Sequence, residues 1–341
     1  MLLLALETSC DETSAAVIRD GVVLANAVSS QIKLHEEYGG VVPELAAREH
    51  LKNLMPVVRQ TLAEAGVAPN ELDAIAATQG PGLGGALMIG FKAAQAMAFV
   101  FEKPFLGVNH HEAHLYSPWI SGEPARADFE NFQPNVALIV SGGHTMLVHV
   151  SELFTHRVLG GTIDDAAGEC FDKTGKLLGL AYPAGPIIDR LAESGNPQAY
   201  DFPRPLIHDT NDDFSFSGLK TSIRYFVRDN PTLPDDPQKL RDLCASAQAA
   251  IVEVLVVKTI RAARRLGVRC VTASGGVICN RKLRSELTRA CAKHGLTLRL
   301  AEPKFSTDNA AMIGIVAERK LAHHAAPTPL AAEILPNWRL A

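Results

Sequence analysis

The same order of strands and helices runs twice along this chain, and in each run the first and fourth strands end in small, glycine- or hydroxyl-rich turns. In the first run, residues 2–6, 14–19 and 22–29 read as three strands, the last two joined by Asp20-Gly21, a strong hairpin signal. A helical pattern over 44–65, a strand at 74–78, a helix at 86–100, a strand at 105–108 and a helix opening at Asn109 complete it. In the second run, strands at 136–140, 145–150 and 156–159 precede a helix through 170–178. Helix 237–266, strand 269–273, helix 281–294, strand 297–300 and helix 309–321 follow. The turns correspond: ETSCDETS follows Leu6 and SGGHT follows Val140, while ATQGPGLGG follows Ala76 and TASGGVICN follows Val271. Unrelated α/β folds also place glycine after strands, but two coincidences in matching order favour a duplication. The expectation is an α/β chain of two similar halves facing each other across a cleft walled by these four turns.

The halves are expected at residues 1–121 and 135–307, with a polar linker between them at 122–134. A C-terminal helix from about 308 to 341 is expected to pack on the first half, and a Pro- and Asp-rich insertion at 180–236 to interrupt the second. The length of 341 residues accommodates this plan, and 47% apolar with 21% charged residues excludes a disordered chain. No run approaches the roughly 20 apolar residues of a membrane span. The opening Met-Leu-Leu-Leu-Ala-Leu lacks a basic region and meets Glu7, unlike a signal peptide. These features predict a soluble cytoplasmic protein. Six cysteines without a C-x-x-C pair predict buried free thiols, neither a disulfide framework nor a zinc ribbon. Between Lys258 and Arg299 there are eleven basic residues and one acid, Glu286. That stretch is either a solvated helix face or a footprint for nucleic-acid phosphates.

Four constellations carry chemistry. In LETSCDETS, hydroxyls and backbone N–H groups suit phosphate oxygens, and Asp11 and Glu12 suit work through a metal, water or proton; an ordinary Asx turn explains the same residues. In VSGGHT (Val140, Ser141, Gly142, Gly143, His144) the glycines let backbone approach a ligand, with His144 either aimed at it or a satisfied core histidine. In NHHEAH, His110 and His114 stand four apart on one helix face, a spacing for metal capture or for a surface pair. The H-E-x-x-H zincin pattern fails because residue 115 is Leu115. Asp308, in STDNAAM, is the most available third ligand, and two histidines with one carboxylate favour Fe(2+) or Zn(2+). Neutral imidazoles bind the cation, so occupancy is expected to fall through roughly pH 6–6.5. Last, residues 168–189 place Asp172 and Lys176 on one helix face before a rigid Tyr182–Pro186 loop, where Asp172 or Asp189 can bond ribose hydroxyls.

LETSCDETSAAV, GGVVPELAAREHL, GPGLGGALMIG, VNHHEAHL, VSGGHT, GECFDKTGKLLGL, FSFSGLKT, ASGGVICN and STDNAAMIG, in this order, resemble the universal tRNA threonylcarbamoyladenosine synthase family, bacterial transferase subunit. The resemblance covers essentially the whole chain. It implies the actin/sugar-kinase/heat-shock-ATPase fold of two duplicated ribonuclease-H-like halves. It further implies transfer of a threonylcarbamoyl group from L-threonylcarbamoyladenylate to the exocyclic amine of the adenine 3′ of the anticodon, in tRNAs reading codons that begin with A. Carried over by position, His110, His114 and Asp308 match a site for one divalent metal. Val140, Ser141, Gly142, Gly143, His144, Asp172, Gly185, Asp189 and Asn280 match substrate contacts, while Asp11 and Glu12 fall in a sensitive catalytic loop. Implied partners are tRNA, a paralogous inactive subunit and a small P-loop ATPase. Two positions depart from the pattern: His111 stands where methionine is common, and Ala184 where glycine is frequent. The rival readings are an ATP-dependent small-molecule kinase of the same fold, a metallopeptidase and a non-catalytic ATP-gated scaffold.

Overall fold

The computed structural model describes residues 1–340. They form two compact units, one built from residues 1–131 with 307–340, the other from 132–306.

The first unit opens with β1 (Leu2–Glu7), β2 (Glu12–Arg19) and β3 (Val22–Ser30), an antiparallel meander. A short α1 (Ile32–Glu36) and a long α2 (Pro43–Ala65) lead to β4 (Ala74–Gly80), α3 (Gly84–Val100), β5 (Phe105–Asn109) and α4 (His110–Tyr116). Strand β4 joins β1 in parallel, and β5 joins β4. Every residue of β1 is buried because the sheet is covered on both faces. Leu2, Leu4 and Leu6 pack in one core with Leu54, Val58 and Phe91 of α2 and α3, and the alternation of side chains sends Leu3 and Ala5 to the opposite face. The segment expected as a linker is partly ordered into this sheet. Its β7 (Arg126–Ala127) pairs with both β6 (Ile120–Ser121) and β3, extending the order to β5-β4-β1-β2-β3-β7-β6.

The second unit repeats the arrangement. Strands β8 (Asn135–Val140), β9 (Thr145–Glu152) and β10 (Thr155–Gly161) form the meander. Helices α5 (Ala167–Leu177), α6 (Ala184–Ala192), α7 (Ser217–Asp229) and α8 (Pro237–Leu266) precede β11 (Cys270–Ser274), α9 (Arg281–Lys293), β12 (Thr297–Leu300) and α10 (Pro303–Ser306). The order β10-β9-β8-β11-β12 reproduces β3-β2-β1-β4-β5, with the fourth strand parallel to the first in both. The duplication read from the turns is therefore real at the level of topology. The expected insertion is not loop alone: it contains α6 and α7. Helix α8 is the one helix among the described residues long and apolar enough to cross a bilayer, at 30 residues, but it is a core helix, with 83% of its apolar window buried.

The chain then returns to the first unit with α11 (Ala310–Ala322), which packs on β1 and β2. The helix expected from about 308 to 341 thus stops at Ala322; the segment after it carries no helix. Four of the six thiols are buried as expected, but Cys10 is partly accessible and Cys279 is exposed.

Candidate metal centre and nucleotide pocket

In the first unit, three elements converge on one small polar cluster. Helix α4 starts at once after β5 because the Asn109 side chain caps it, accepting from the Glu112 N–H at 3.1 Å. This places His110 and His114 on one face, both buried, with ring centroids 4.7 Å apart. They are not a surface pair. Asp308 arrives just before α11, whose first turn is gripped three times. Asn309 caps it through the Met312 N–H (3.1 Å), Ser14 Oγ accepts from the Ala310 N–H (2.9 Å), and Asn26 Oδ1 from the Ala311 N–H (3.1 Å). Asp308 Oδ1 lies 3.1 Å from His114 Nε2 and 3.5 Å from His110 Nε2. Ligands at the ~2.1 Å usual for zinc sit about 3.4 Å apart in a tetrahedron. The ligand atoms of His110, His114 and Asp308 all lie within 4.8 Å of one another, close enough that they could hold one divalent cation.

Sequence reasoning missed the residue behind this cluster. Glu7, fully buried at the end of β1, accepts from Thr78 Oγ1 at 2.6 Å and faces His110 Nδ1 at 3.0 Å. A carboxylate on the far nitrogen of a ligating histidine fixes its tautomer and raises its basicity. The charges respond to one another. Burial alone drives His110 down, yet Asp308 and Glu7 hold its imidazolium up to about 9. Burial would likewise raise Glu7, but the His110 charge and its hydrogen bonds keep it below the usual carboxylate range. His114, buried beside that cation, is pushed down.

The turn between β1 and β2 carries Asp11, and Glu12 opens β2 directly after it. Burial first, then the negative charges of Asp11 and Asp308, push Glu12 well above the ordinary carboxylate range. His50 of α2 pins the loop at both ends. Its Nδ1 lies 2.8 Å from Thr13 Oγ1 and its Nε2 3.0 Å from the Cys10 carbonyl. A carbonyl only accepts, so Nε2–H donates to Cys10, and burial lowers His50, which favours the neutral ring whose Nδ1 accepts from Thr13. Glu112, the acid inside the histidine motif, is paired with Lys320 at 2.5 Å. That pairing leaves no free glutamate base for a peptidase on α4.

In the second unit, a cavity of about 400 Å³ is lined by Gly142, Asp172, Gly185, Asp189, Asn280 and Arg281 among others. Five of the residues expected at a substrate site thus share one wall. Val140, Ser141, Gly143 and His144 do not line it. Val140 is fully buried, and Ser141 closes a tight turn with His144, its N–H donating to the His144 carbonyl at 2.8 Å. The Val140 carbonyl sits where a Cβ on Gly275 would be, 2.3 Å away, and Gly275 has φ +93°, so only glycine serves there.

Of the expected Tyr182–Pro186 loop, Tyr182 and Pro183 are non-helical and Ala184–Pro186 open α6, and Asp172 Oδ1 accepts from the Ala184 and Gly185 N–H groups at 2.8 and 3.3 Å. Burial still lifts Asp172 above its ordinary value, since those two hydrogen bonds offset only part of the cost. Asp189 Oδ2 accepts from Arg281 Nε at 2.8 Å. Asn280 caps α9 through the Leu283 N–H (2.9 Å) and donates to Gln248 Oε1 (2.7 Å). Each of these contacts also has a structural task.

The basic stretch is partly consumed inside the second unit. Lys258 is fully buried and donates to the Asn211 carbonyl at 3.1 Å. Arg261 donates to the carbonyls of Ile207 and Asn211, Arg265 grips Asp212, and Lys282 and Arg289 share Glu286. Five of the eleven basic residues of the expected phosphate footprint thus have partners within the unit.

The model of the tRNA N6-adenosine threonylcarbamoyltransferase family matches residues 22–315. A protein of that description from Geotalea uraniireducens is 48% identical over 341 residues, covering 100% of this chain and 97% of its own. One from Chlorobium phaeobacteroides (strain DSM 266) is 49% identical over 340 residues, covering 96% and 94%. Among solved structures, HypF of T. kodakarensis aligns with a TM-score of 0.62 at 15% identity, over 95% of this chain and 48% of that one. Component A of the Acidaminococcus fermentans (R)-2-hydroxyglutaryl-CoA dehydratase gives 0.54 at 14%, over 94% and 98%. At such identities these two speak to the fold alone, and the fold is the actin/sugar-kinase/heat-shock-ATPase one. Near-complete coverage at close to half identity leaves one assignment: the chain belongs to the tRNA N6-adenosine threonylcarbamoyltransferase family.

Proposed function

We propose that this chain transfers a threonylcarbamoyl group from L-threonylcarbamoyladenylate to N6 of the adenine 3′ of the anticodon in tRNAs reading codons that begin with A. The observation that carries the reading is the buried His110–His114–Asp308 cluster in a chain that matches this family end to end. Asp172 is the ribose contact, because its Oδ2 stays available while Oδ1 holds α6. Asn280 retains one N–H and one lone pair beyond its two structural bonds, enough for a single contact to the nucleotide. Gly142, Gly185 and Asp189 complete that wall. Val140, Ser141, Gly143 and His144 belong to the same proposed substrate set as the turn that presents Gly142.

In the transfer, the adenine amine forms a C–N bond to the carbamoyl carbon, the bond to the phosphate oxygen breaks, and AMP leaves as an anion. The proton shed by N6 goes to the Asp11–Glu12 carboxyl pair. His110, His114 and Asp308 would hold one divalent metal, Fe(2+) in preference to Zn(2+), which supplies Lewis-acid polarisation of a carbonyl or phosphate oxygen. Glu7 orients His110 for that task. The amine is a weak nucleophile, so an activated donor and accurate placement account for the rate. We further propose a cytoplasmic setting, with a paralogous inactive subunit and a small P-loop ATPase as partners, as the family resemblance implies. The test is nucleoside analysis of tRNA incubated with purified chain, donor-forming enzyme and those partners. Absence of the modified adenosine, with phosphoryl transfer to a small molecule instead, would favour the kinase reading.

A further inference from the structure

After α11 the chain runs extended along the first unit, and its exposure alternates. Ala332, Ile334, Pro336 and Trp338 are half-buried while Glu333, Leu335, Asn337 and Arg339 face solvent. It is fastened mainly by main-chain groups. The Thr328 N–H donates to the Phe105 carbonyl at 2.7 Å on the edge strand β5, and the Gly107 N–H donates to Thr328 Oγ1 at 2.9 Å. Further along, Gln95 Nε2 donates to the Ala332 carbonyl (2.9 Å) and Gln79 Nε2 to that of Glu333 (2.8 Å). The Leu335 N–H donates to the Gln79 carbonyl (2.8 Å), and the Gly82 N–H to that of Pro336 (3.1 Å).

Two of these fastenings lead to the metal cluster. Asn109 Nδ2 donates to the Trp338 carbonyl at 3.3 Å, and the same side chain caps α4 through its Oδ1. The segment therefore holds the amide that starts the helix bearing His110 and His114. By the second route it presses on the turn after β4. The Leu335 carbonyl lies 1.9 Å from where a Cβ on Gly80 would stand, so the side chain at 80 is absent to admit it. That turn passes the Leu83 N–H to the Ser9 carbonyl at 2.8 Å, and Ser9 Oγ lies 3.2 Å from His110 Nδ1.

We infer that residues 326–340 are a positioning strap, which sets the geometry of the histidine ligands from outside the cluster by holding the α4 cap and the Gly80–Leu83 turn. This rests on the metal reading of His110, His114 and Asp308. The strap contributes no ligand, so its loss loosens the metal without removing a donor. Supporting groups around metal ligands typically change affinity 10–100-fold.

The test measures Zn(2+) dissociation by competition with a chromophoric chelator, on the full chain, on a chain ending at Ala331, and on full-length Gly80→Ala. With far- and near-ultraviolet circular dichroism showing a folded protein, both altered chains are expected to bind Zn(2+) at least ten-fold more weakly. A synthetic peptide of residues 332–340 added in trans should restore the shortened chain and not Gly80→Ala. Wild-type affinity in the folded, shortened chain overturns the strap. Should that chain fail to fold, Gly80→Ala decides on the same criterion. A full chain that binds no Zn(2+) or Fe(2+) would instead overturn the metal reading beneath it.

Discussion

The metal cluster is expected to trade one proton for its cation at neutral pH. With no metal present, Asp308 and Glu7 outweigh the burial of His110 and keep its proton up to about 9. A cation can ligate only the neutral ring, so below that value each pH unit costs a factor of ten in apparent affinity. Between pH 8.5 and 6.5 the loss is about 100-fold, on the order of 2.7 kcal/mol at ~1.36 kcal/mol per unit. An unperturbed imidazole would leave affinity nearly flat over the same interval. Two measurements check this. Chelator competition with Zn(2+) at pH 6.5, 7.5 and 8.5 should give a slope near one. Calorimetric titration at pH 7.5 in two buffers of different ionisation enthalpy should count about one proton released per metal. Glu7→Gln removes one of the two charges that hold the proton, so its affinity should fall overall while its pH slope above 7 flattens. A flat profile with no proton release in the wild-type chain would refute the reasoning.

The same shift has a stability counterpart of defined sign. The His110 value is raised from 6.5 in the free side chain to about 9 in the fold. Its contribution is complete below about pH 6.5 and is lost as pH rises through about 9. Metal-free protein should therefore melt at lower temperature at pH 9.5 than at pH 6.5, and metal-loaded protein should show much less of that trend.

Asp172→Asn should weaken AMP binding by roughly tenfold to a hundredfold, the ~1.5–3 kcal/mol of a charged hydrogen bond; nucleotide titration beside a circular-dichroism spectrum reads both affinity and fold. Arg265→Glu should lower the melting temperature, because it sets a second negative charge against Asp212, which is only 4% exposed. Its tRNA affinity per folded molecule should change little, and a flattened salt dependence of tRNA binding in a fully folded variant would restore the phosphate-footprint reading. His114→Ala and Asp308→Ala should each lose metal and transfer together, whereas His111→Ala, outside the ligand set, should keep both; metal analysis after desalting separates them.

The duplicated topology was legible because each half announces its first and fourth strands by a turn whose chemistry survives in sequence. The i, i+4 spacing of His110 and His114 was equally readable, since helix geometry alone puts them on one face. Glu7 and His50 were not. The partners that give them their roles are distant: Glu7 meets His110 across 103 positions of chain, and His50 reaches Thr13 across 37. The fall of metal occupancy expected through pH 6–6.5 used a solvated histidine, whereas His110 stands between two carboxylates that raise it to about 9, so the fall is now expected at higher pH.

The basic stretch shows the converse case. Charge along a sequence reports what a segment carries, not what the fold does with it. Lys258, Arg261 and Arg265 recur on one side of α8 and meet the carbonyls and the carboxylate of the 207–212 loop. An irregular loop over a core helix has backbone acceptors that no ladder satisfies, and long cationic side chains are a low-cost way to satisfy them. Lys258, Arg261 and Arg265 are thus better read as the insertion's fastening. The tRNA surface has to be sought among cations that no carbonyl or carboxylate of the chain already holds.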